Sequence, residues 1–272
     1  MSRRSHSVYR SVGWGGDNDR IGAGFIDKSG VHRDFVDNIS PALVIVAVLE
    51  GRGEFIDEHG RRTALEPGMV FQRTPGRVHS SLIDPASSWH ECFIEVGARL
   101  NRGLFGARIL RDDLYAWRCP LVDSLPERIQ SLQTRLSEAA EPTLPRVTID
   151  MLALVEQIQA TASIQGDATE QLVDEACRYL SDNFPEARNL QAFCTARELG
   201  YERFRKQFHR RVGVSPHRYR IRRRLDAACQ YLYGSEHSIA AIAERLGYAS
   251  PYEFSAQFRR HMGVPPSRFR GQ

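Results

Sequence analysis

Lysine is nearly missing from this chain. Lys28 and Lys206 are two of 37 basic residues, so almost every positive charge is a guanidinium. No apolar run approaches the roughly 20 residues that a bilayer-spanning helix needs. The start, MSRRSHSVYRSVGWGG, carries arginines but no apolar stretch behind them, which argues against a secretory signal. Both absences point to a cytoplasmic protein without a membrane partner. The five cysteines, Cys92, Cys119, Cys177, Cys194 and Cys229, are widely spaced and form no CxxC pair. That pattern excludes a disulfide framework or a zinc knuckle and leaves buried thiols in a reducing compartment. Nucleophile-elbow, phosphate-loop and dinucleotide-binding glycine motifs are likewise missing.

What is present fits a globular chain of one large or two ordinary domains: 272 residues, 42% hydrophobic and 26% charged. The net charge of +4 conceals an asymmetry. From residue 172 onward there are 18 basic and 10 acidic residues, against 19 and 23 upstream. A basic module suited to a polyanion is therefore joined to an acidic one with a different partner.

The first hundred residues have β character. In ALVIVAVLE, Val44, Val46 and Val48 are β-branched and bounded by Pro41, Gly51 and Gly53, as in a buried strand ending in a turn. IDEHGRR resembles a hairpin loop, and LEPGMVFQ and RTPGRVHS each place Pro-Gly before a strand. WHECFIEV puts His90, Cys92, Ile94 and Val96 on one face. Short strands punctuated by glycine suggest a sandwich or small barrel. Two amphipathic helices follow over about 123–162, with Leu125, Ile129, Leu132 and Leu136 on the first and Val147, Met151, Leu154, Ile158 and Ala162 on the second. Their seams could zip a homodimer or pack on the strands. Residues 164–170, IQGDATE, are the expected linker. The domains are thus expected at 1–163 and 171–272.

The last third repeats itself. FRKQFHRRVGVSPHRYR (204–220) aligns without gaps to FSAQFRRHMGVPPSRFR (254–270). Matched pairs include Phe204/Phe254, Phe208/Phe258, Gly213/Gly263, Pro216/Pro266, Tyr219/Phe269 and Arg220/Arg270, too many rare residues for chance. Each copy follows a shorter amphipathic helix. In the second, Ser238 can cap, Ile239, Ile242, Ala243 and Leu246 form one face, and Gly247 ends the helix. Ser250 and Pro251 then open the next helix, which buries Phe254, Phe258 and Met262. In the first, Leu190, Phe193 and Cys194 face inward, followed by Phe204, Phe208 and Val212. Helix, short turn, helix is the motif whose second member lies in the DNA major groove. The two units span about 188–212 and 238–262.

The outward face of the first recognition helix offers Glu202, Arg203, Arg205, Lys206, His209 and Arg210; that of the second offers Tyr252, Glu253, Ser255, Ala256, Arg259 and Arg260. Arginine bonds guanine O6 and N7 bidentately, discriminating by about 1–3 kcal/mol. The first unit should therefore read bases and the second mainly contact phosphates. A helix carrying Leu225, Ala228 and Leu232 should join them, with Arg220, Arg222, Arg223 and Arg224 as phosphate contacts or solvated charges and Arg222 as the expected contact.

These residues resemble the AraC/XylS family of bacterial transcription regulators over about 170–272. The strongest stretch is SIAAIAERLGYASPYEFSAQFRRHMGVPPSRFR, with its trailing G-V-x-P-x-x-[FY]-R. The resemblance implies double-stranded promoter DNA as partner, with base contacts at Glu202, Arg205, Lys206, Pro251, Tyr252 and Ala256, and contact with RNA polymerase. Two departures stand out: Glu198 replaces a usual turn glycine, and Ala256 a polar or basic residue. More loosely, Leu49 to Gly53, Leu65 to Met69 and Pro75 to His79 are similar to the family's cupin-like effector domain. The expected fold is accordingly two-domain α+β. A cupin-like β-barrel with trailing helices is followed by an all-α domain of two helix-turn-helix units on a linker helix. The resemblance implies a small-molecule effector, often a sugar, for which Arg77, His79 and Trp89 are the candidate residues. A cupin-type metalloenzyme is the rival class, yet only His79 fits its ligand pattern and one imidazole cannot hold a catalytic ion. No metal, cofactor or catalytic residue is expected. An interaction module that binds no ligand is the other rival.

Overall fold

The computed structural model describes residues 5–13, 19–28, 35–164, 168–182, 184–186, 188–234 and 237–270. Two compact units divide the chain, Met1–Gln165 and Gly166–Gln272.

Among the described residues the first unit has ten strands: β1 (His6–Ser11), β2 (Arg20–Asp27), β3 (Phe35–Ile39), β4 (Leu43–Glu50), β5 (Gly53–Ile56), β6 (Arg62–Leu65), β7 (Met69–Arg73), β8 (Val78–Ile83), β9 (His90–Val96) and β10 (Ala116–Arg118). A short helix α1 (Ala98–Gly106) precedes β10, and α2 (Leu125–Glu138) and α3 (Leu144–Ile164) follow it. The strands form a six-stranded sheet in the order β1-β2-β9-β4-β7-β10 and a four-stranded sheet in the order β3-β8-β5-β6. Neighbouring strands pair antiparallel, for example Val46 with Phe93 and with Phe71.

Strand alternation divides the core in two. On β4, Val44, Val46 and Val48 join Phe55, Leu65, Phe71, Trp89 and Phe93 in one cluster that draws on both sheets. Leu43, Ile45 and Ala47 point the other way, with Ile21, Ile94 and Val96, into the core shared with α2 and α3. The large sheet is thus buried on both faces, which explains the unbroken apolar run in β4.

This second core settles where the helical seams go. Leu125, Ile129, Leu132 and Leu136 of α2 and Val147, Met151, Leu154 and Ile158 of α3 are all buried, at most 6% exposed. They pack within the chain, so the seams are not available to zip a second copy. The outer face of the sheet would otherwise expose Ile21, Ile45 and Ile94, and covering it gains more than leaving a seam for association. Polar side chains tie the layers: Gln133 donates to the His6 and Ala23 carbonyls at 3.1 and 3.2 Å, and Trp117 Nε1 donates to Thr161 Oγ1 at 3.0 Å.

The second unit is helical: α4 (Ala168–Ser181), α5 (Leu190–Thr195), α6 (Tyr201–Val212), α7 (Pro216–Gly234), α8 (Ile239–Arg245), α9 (Pro251–Met262) and α10 (Pro266–Arg270). Helix therefore takes up part of the expected linker, since α3 runs to Ile164 and α4 begins at Ala168; positions 165–167 lie outside the described residues. Each repeat has its own core. Val173, Ala176, Leu180, Leu190, Phe193, Cys194, Phe204 and Phe208 form one, and Leu225, Ala228, Leu232, Ile242, Ala243, Leu246, Tyr248, Phe254 and Phe258 the other. Equivalent edge-on ring contacts recur, Phe208 on Tyr219 at 5.7 Å and Phe258 on Phe269 at 5.3 Å. Two expected core positions differ: Met262 is 40% exposed and Val212 only half-buried. Each occupies the last turn of its helix, where Val212 packs only against the edge of its core.

The turn inside each unit needs a left-handed residue. In the second unit it is Gly247, with φ +70, where a Cβ would press on the Phe184 carbonyl. In the first it is Glu198, with φ +54, so the non-glycine residue accepts the strained conformation. Replacing Gly247 with alanine is expected to cost about 1–2 kcal/mol or more. Glu198→Gly should be neutral or stabilise by up to about 1 kcal/mol. Urea unfolding of the full chain followed by circular dichroism checks both; a destabilised Glu198→Gly would contradict the strain.

Candidate nucleic-acid interface

The recognition helices are built alike but start differently. Helix α9 is capped by Ser250, whose Oγ accepts from the Glu253 N–H at 3.1 Å, while Glu253 Oε2 accepts from the Ala249 N–H at 3.0 Å. This reciprocal arrangement satisfies donors that would otherwise be orphaned. It also occupies Glu253 with its own backbone. Helix α6 starts at Gly200 with no side-chain cap. Both helices end at a left-handed glycine, Gly213 and Gly263.

On α6 the buried stripe is Phe204 and Phe208, and Glu202, Arg203, Lys206, His209 and Arg210 are exposed. Arg205 is half-buried, and its Nε and Nη2 donate to Glu202 Oε2 at 3.3 and 3.0 Å. Glu202 pushes the Arg205 guanidinium above its ordinary pKa through that hydrogen bond. The pair is solvent-exposed at spacing i, i+3, so it is weak and easily exchanged for another acceptor. On α9, Tyr252, Glu253, Ala256, Arg259 and Arg260 are exposed and Ser255 is half-buried. Tyr252 stands out, 88% exposed one residue into the helix. The first face thus presents five cationic or imidazole groups, and the second presents its arginines only from mid-helix onward.

The four arginines of α7 separate into different roles. Arg220 is buried and donates to the main-chain carbonyls of Leu180, Phe184 and Glu186 at 2.9, 2.9 and 2.5 Å. Burial lowers its pKa from the ordinary value, with Arg224 and Arg188 adding to the effect. Arg224 donates to the Gly247 carbonyl at 2.7 Å and lies over the Tyr248 ring at 4.8 Å. Neither is the solvated charge or phosphate contact that the sequence suggested; the helix crossings bring unpaired carbonyls within their reach. Arg223 pairs with Asp226 at 3.2 Å. Arg222 is exposed, beside a groove of about 860 Å³ between α7 and α9 that Arg260 also lines. The clamp has a counterpart in the second repeat, where Arg270 donates to the His237 carbonyl at 2.5 Å. The gapless match of Arg220 with Arg270 was the sequence signal for this structural role.

In the first unit the three candidate effector residues differ in setting, two buried and one at the rim. Trp89 is 1% exposed and gives its Nε1–H to Glu91 at 2.6 Å, and Lys28 Nζ meets the same carboxylate at 3.2 Å. Arg77 is on the rim, bonded to Glu58 at 2.9 Å and to the Tyr115 hydroxyl at 3.1 Å. His79 is buried, stacked on Phe55 at 5.9 Å, with Nδ1 3.3 Å from the Arg77 carbonyl. Burial lowers its pKa below the usual histidine value, and Arg73 adds to that. Arg73, which no sequence pattern marks, is also buried here, on β7. Among the described residues no three His, Cys, Asp or Glu side chains are grouped to hold a metal ion, and no helix is long and apolar enough to cross a membrane.

Two short helix-turn-helix units on one rigid helix, each with an outward polar face, define a DNA-binding domain. Residues 193–272 match the family model described as a helix-turn-helix domain, and the C-terminal unit is an AraC-type domain of this kind. The transcriptional activator RhaS of Escherichia fergusonii is 28% identical over 149 residues, 53% of this chain and 54% of that protein. The raffinose operon regulatory protein RafR of Pediococcus pentosaceus is 25% identical over 247 residues, 86% of each. The match thus spans about half the length of the RhaS relative. Among solved structures, ToxT from Vibrio cholerae O395 aligns with 17% identity over 92% of this chain and 97% of that chain, at a TM-score of 0.36.

The two arginine classes respond differently to mutation. Arg220→Met strands three carbonyls and should destabilise the chain by about 2–4 kcal/mol. Arg222→Ala should change stability by no more than about 0.5 kcal/mol while weakening DNA binding. Calorimetry and fluorescence anisotropy on the two variants check the division.

Proposed function

We propose that the whole chain is an effector-responsive, sequence-specific regulator of transcription that acts in the cytoplasm. It seats α6 and α9 in successive major-groove segments of double-stranded promoter DNA. The observation that carries this reading is the duplicated unit with its cationic first face. Segments about one helical turn apart, roughly 34 Å, would accept both helices from one side of the duplex.

Within that reading, Glu202, Arg205 and Lys206 read base edges, and Arg203, His209 and Arg210 flank them. The Glu202–Arg205 pair is suited to a C·G step, with glutamate accepting from cytosine N4 and arginine donating to guanine O6 and N7. Arg222, Arg259 and Arg260 neutralise phosphates, Ser255 contributes a polar contact at the rim, and Glu253 holds the start of α9 in place. Tyr252 offers an apolar edge for a thymine methyl. RNA polymerase is the further partner, reached from the promoter-bound state. The first unit takes a small organic effector between its two sheets, near His79, with Arg77 at the rim and Trp89 buttressing the wall. The relative RafR, a raffinose operon regulatory protein, is in keeping with a small carbon compound as effector.

A homodimer would use the outward side of α3 rather than its buried seam. Ile149 is 62% exposed there, and Ala153 and Ala160 continue the exposed stripe at helical spacing. Ile149→Glu is expected to shift the chain toward monomer in light scattering; an unchanged mass would remove α3 from the interface.

DNA binding is tested on genomic promoter fragments with the full chain. Affinity should fall steeply as salt rises, because bound arginines release counterions. Arg205→Ala should reduce the preference for the cognate site about tenfold or more, whereas Arg222→Ala should weaken all sites alike and flatten the salt slope. Unaltered site preference in Arg205→Ala would overturn the assignment of α6 as the reading helix.

A further inference from the structure

Arg73 is buried in the first unit with its hydrogen-bonding capacity largely unused. Its side chain lies on the same side of β7 as Phe71, whose ring belongs to the core drawn from both sheets. The guanidinium carbon is 4.1 Å above the Phe35 ring and 5.5 Å from the Phe71 ring. Nε has no hydrogen-bond partner, and Nη2 has only the Ser81 hydroxyl at 3.5 Å. Those two atoms form the edge by which a guanidinium grips a carboxylate. Elsewhere in this chain the same edge is filled: Arg20 gives Nε and Nη2 to Glu95 at 3.1 and 2.9 Å, and Arg205 gives them to Glu202.

The acidic groups that act on Arg73 are engaged by others. Glu91 accepts from Trp89 and pairs with Lys28, and Glu95 is held by Arg20. A buried, unpaired guanidinium is costly, and a chain does not gain stability from one. The clamp arginine of α7 shows the structural alternative, a guanidinium engaged by three carbonyls. Arg73 is not built that way.

His79 supplies a second unmet group. Its Nδ1 faces the Arg77 carbonyl, which can only accept, so Nδ1 carries the proton. In the neutral ring Nε2 is then an acceptor, and it is buried without a donor. Phe55 stacks against the ring. One buried donor edge and one buried acceptor, set among Phe35, Phe55 and Phe71, make a complementary description of a ligand.

We infer that the Nε–Nη2 edge of Arg73 and Nε2 of His79 recognise a hydroxylated organic acid, the carboxylate taken by the arginine and a hydroxyl donated to the histidine. Phe35, Phe55 and Phe71 would pack on its ring or carbon chain. This rests on the reading that the first unit binds an effector, and it narrows that effector from a neutral sugar to an anion.

The test measures thermal shift and promoter binding of the full chain with four probes: gluconate and 4-hydroxybenzoate, and their neutral counterparts glucose and 4-hydroxybenzamide. An acid should raise the melting temperature and change promoter affinity, with its neutral counterpart inactive. Arg73→Gln should weaken acid binding about 10- to 100-fold, and His79→Phe about tenfold. Because Arg73→Gln removes a buried unpaired charge, it should melt ~2–4 °C higher without ligand, showing that the variant folds. Arg73→Lys, which keeps the charge but not the edge, should bind the acid more weakly than the parent chain. Acid binding that survives in Arg73→Gln, or a ligand-free variant that melts lower, overturns the inference. Glucose alone acting would overturn it and leave the effector reading standing; a chain indifferent to all four counts against both.

Discussion

Arg220 enters the helical unit as a positive charge and ends as a structural strut. Its donors reach three carbonyls between Leu180 and Glu186, where the chain leaves α4 and turns toward α5. One turn further along α7, Arg224 reaches the Gly247 carbonyl in the turn between α8 and α9. One helix thereby holds the entry to the first helix-turn-helix and the turn of the second. These bonds add to the packing of α7 residues Leu225, Ala228 and Leu232 in the second core. Arginine suits the task where lysine does not: its planar fork addresses several carbonyls at once.

The sheet unit follows a different constraint. Its large sheet is covered on one side by the small sheet and on the other by α2 and α3, so its central strands carry apolar residues at successive positions. Polar groups are admitted to this interior in matched sets, such as Lys28 and Trp89 around Glu91. Arg73 and His79 are the departures, each with a buried nitrogen lacking a partner. Departures from local consistency concentrate where a protein meets something outside itself.

The repeat at an offset of 50 residues made the architecture of the helical unit legible, because Phe, Gly and Pro at fixed spacing serve caps and cores that recur whenever the motif folds. Ser238 and Ser250 cap the helices they precede, as their positions imply. Charge was less readable. Arg220, Arg222, Arg223 and Arg224 are alike in sequence, yet one is a buried strut, one bridges two turns, one pairs with Asp226 and one faces solvent. Helical periodicity assigns a side, but it does not say which carbonyl waits there. The same limit hid Arg73: FQR before a Pro-Gly turn reads as the polar end of a strand until the second sheet covers it.

What the sequence determined by itself was local and periodic. It specified the duplicated helix pairs, their caps, the β-rich front and the polar composition of each outward face, since these follow from residues within a few turns of one another. Tertiary structure alone decided which apolar seam meets which surface, and so took α2 and α3 to the sheet through Leu132, Leu136 and Met151. It also decided which arginines are spent on carbonyls and which remain available. The reason is physical: a long flexible cation takes its meaning from the groups within about 3 Å of its tip, and those are contributed by chain segments tens of residues away.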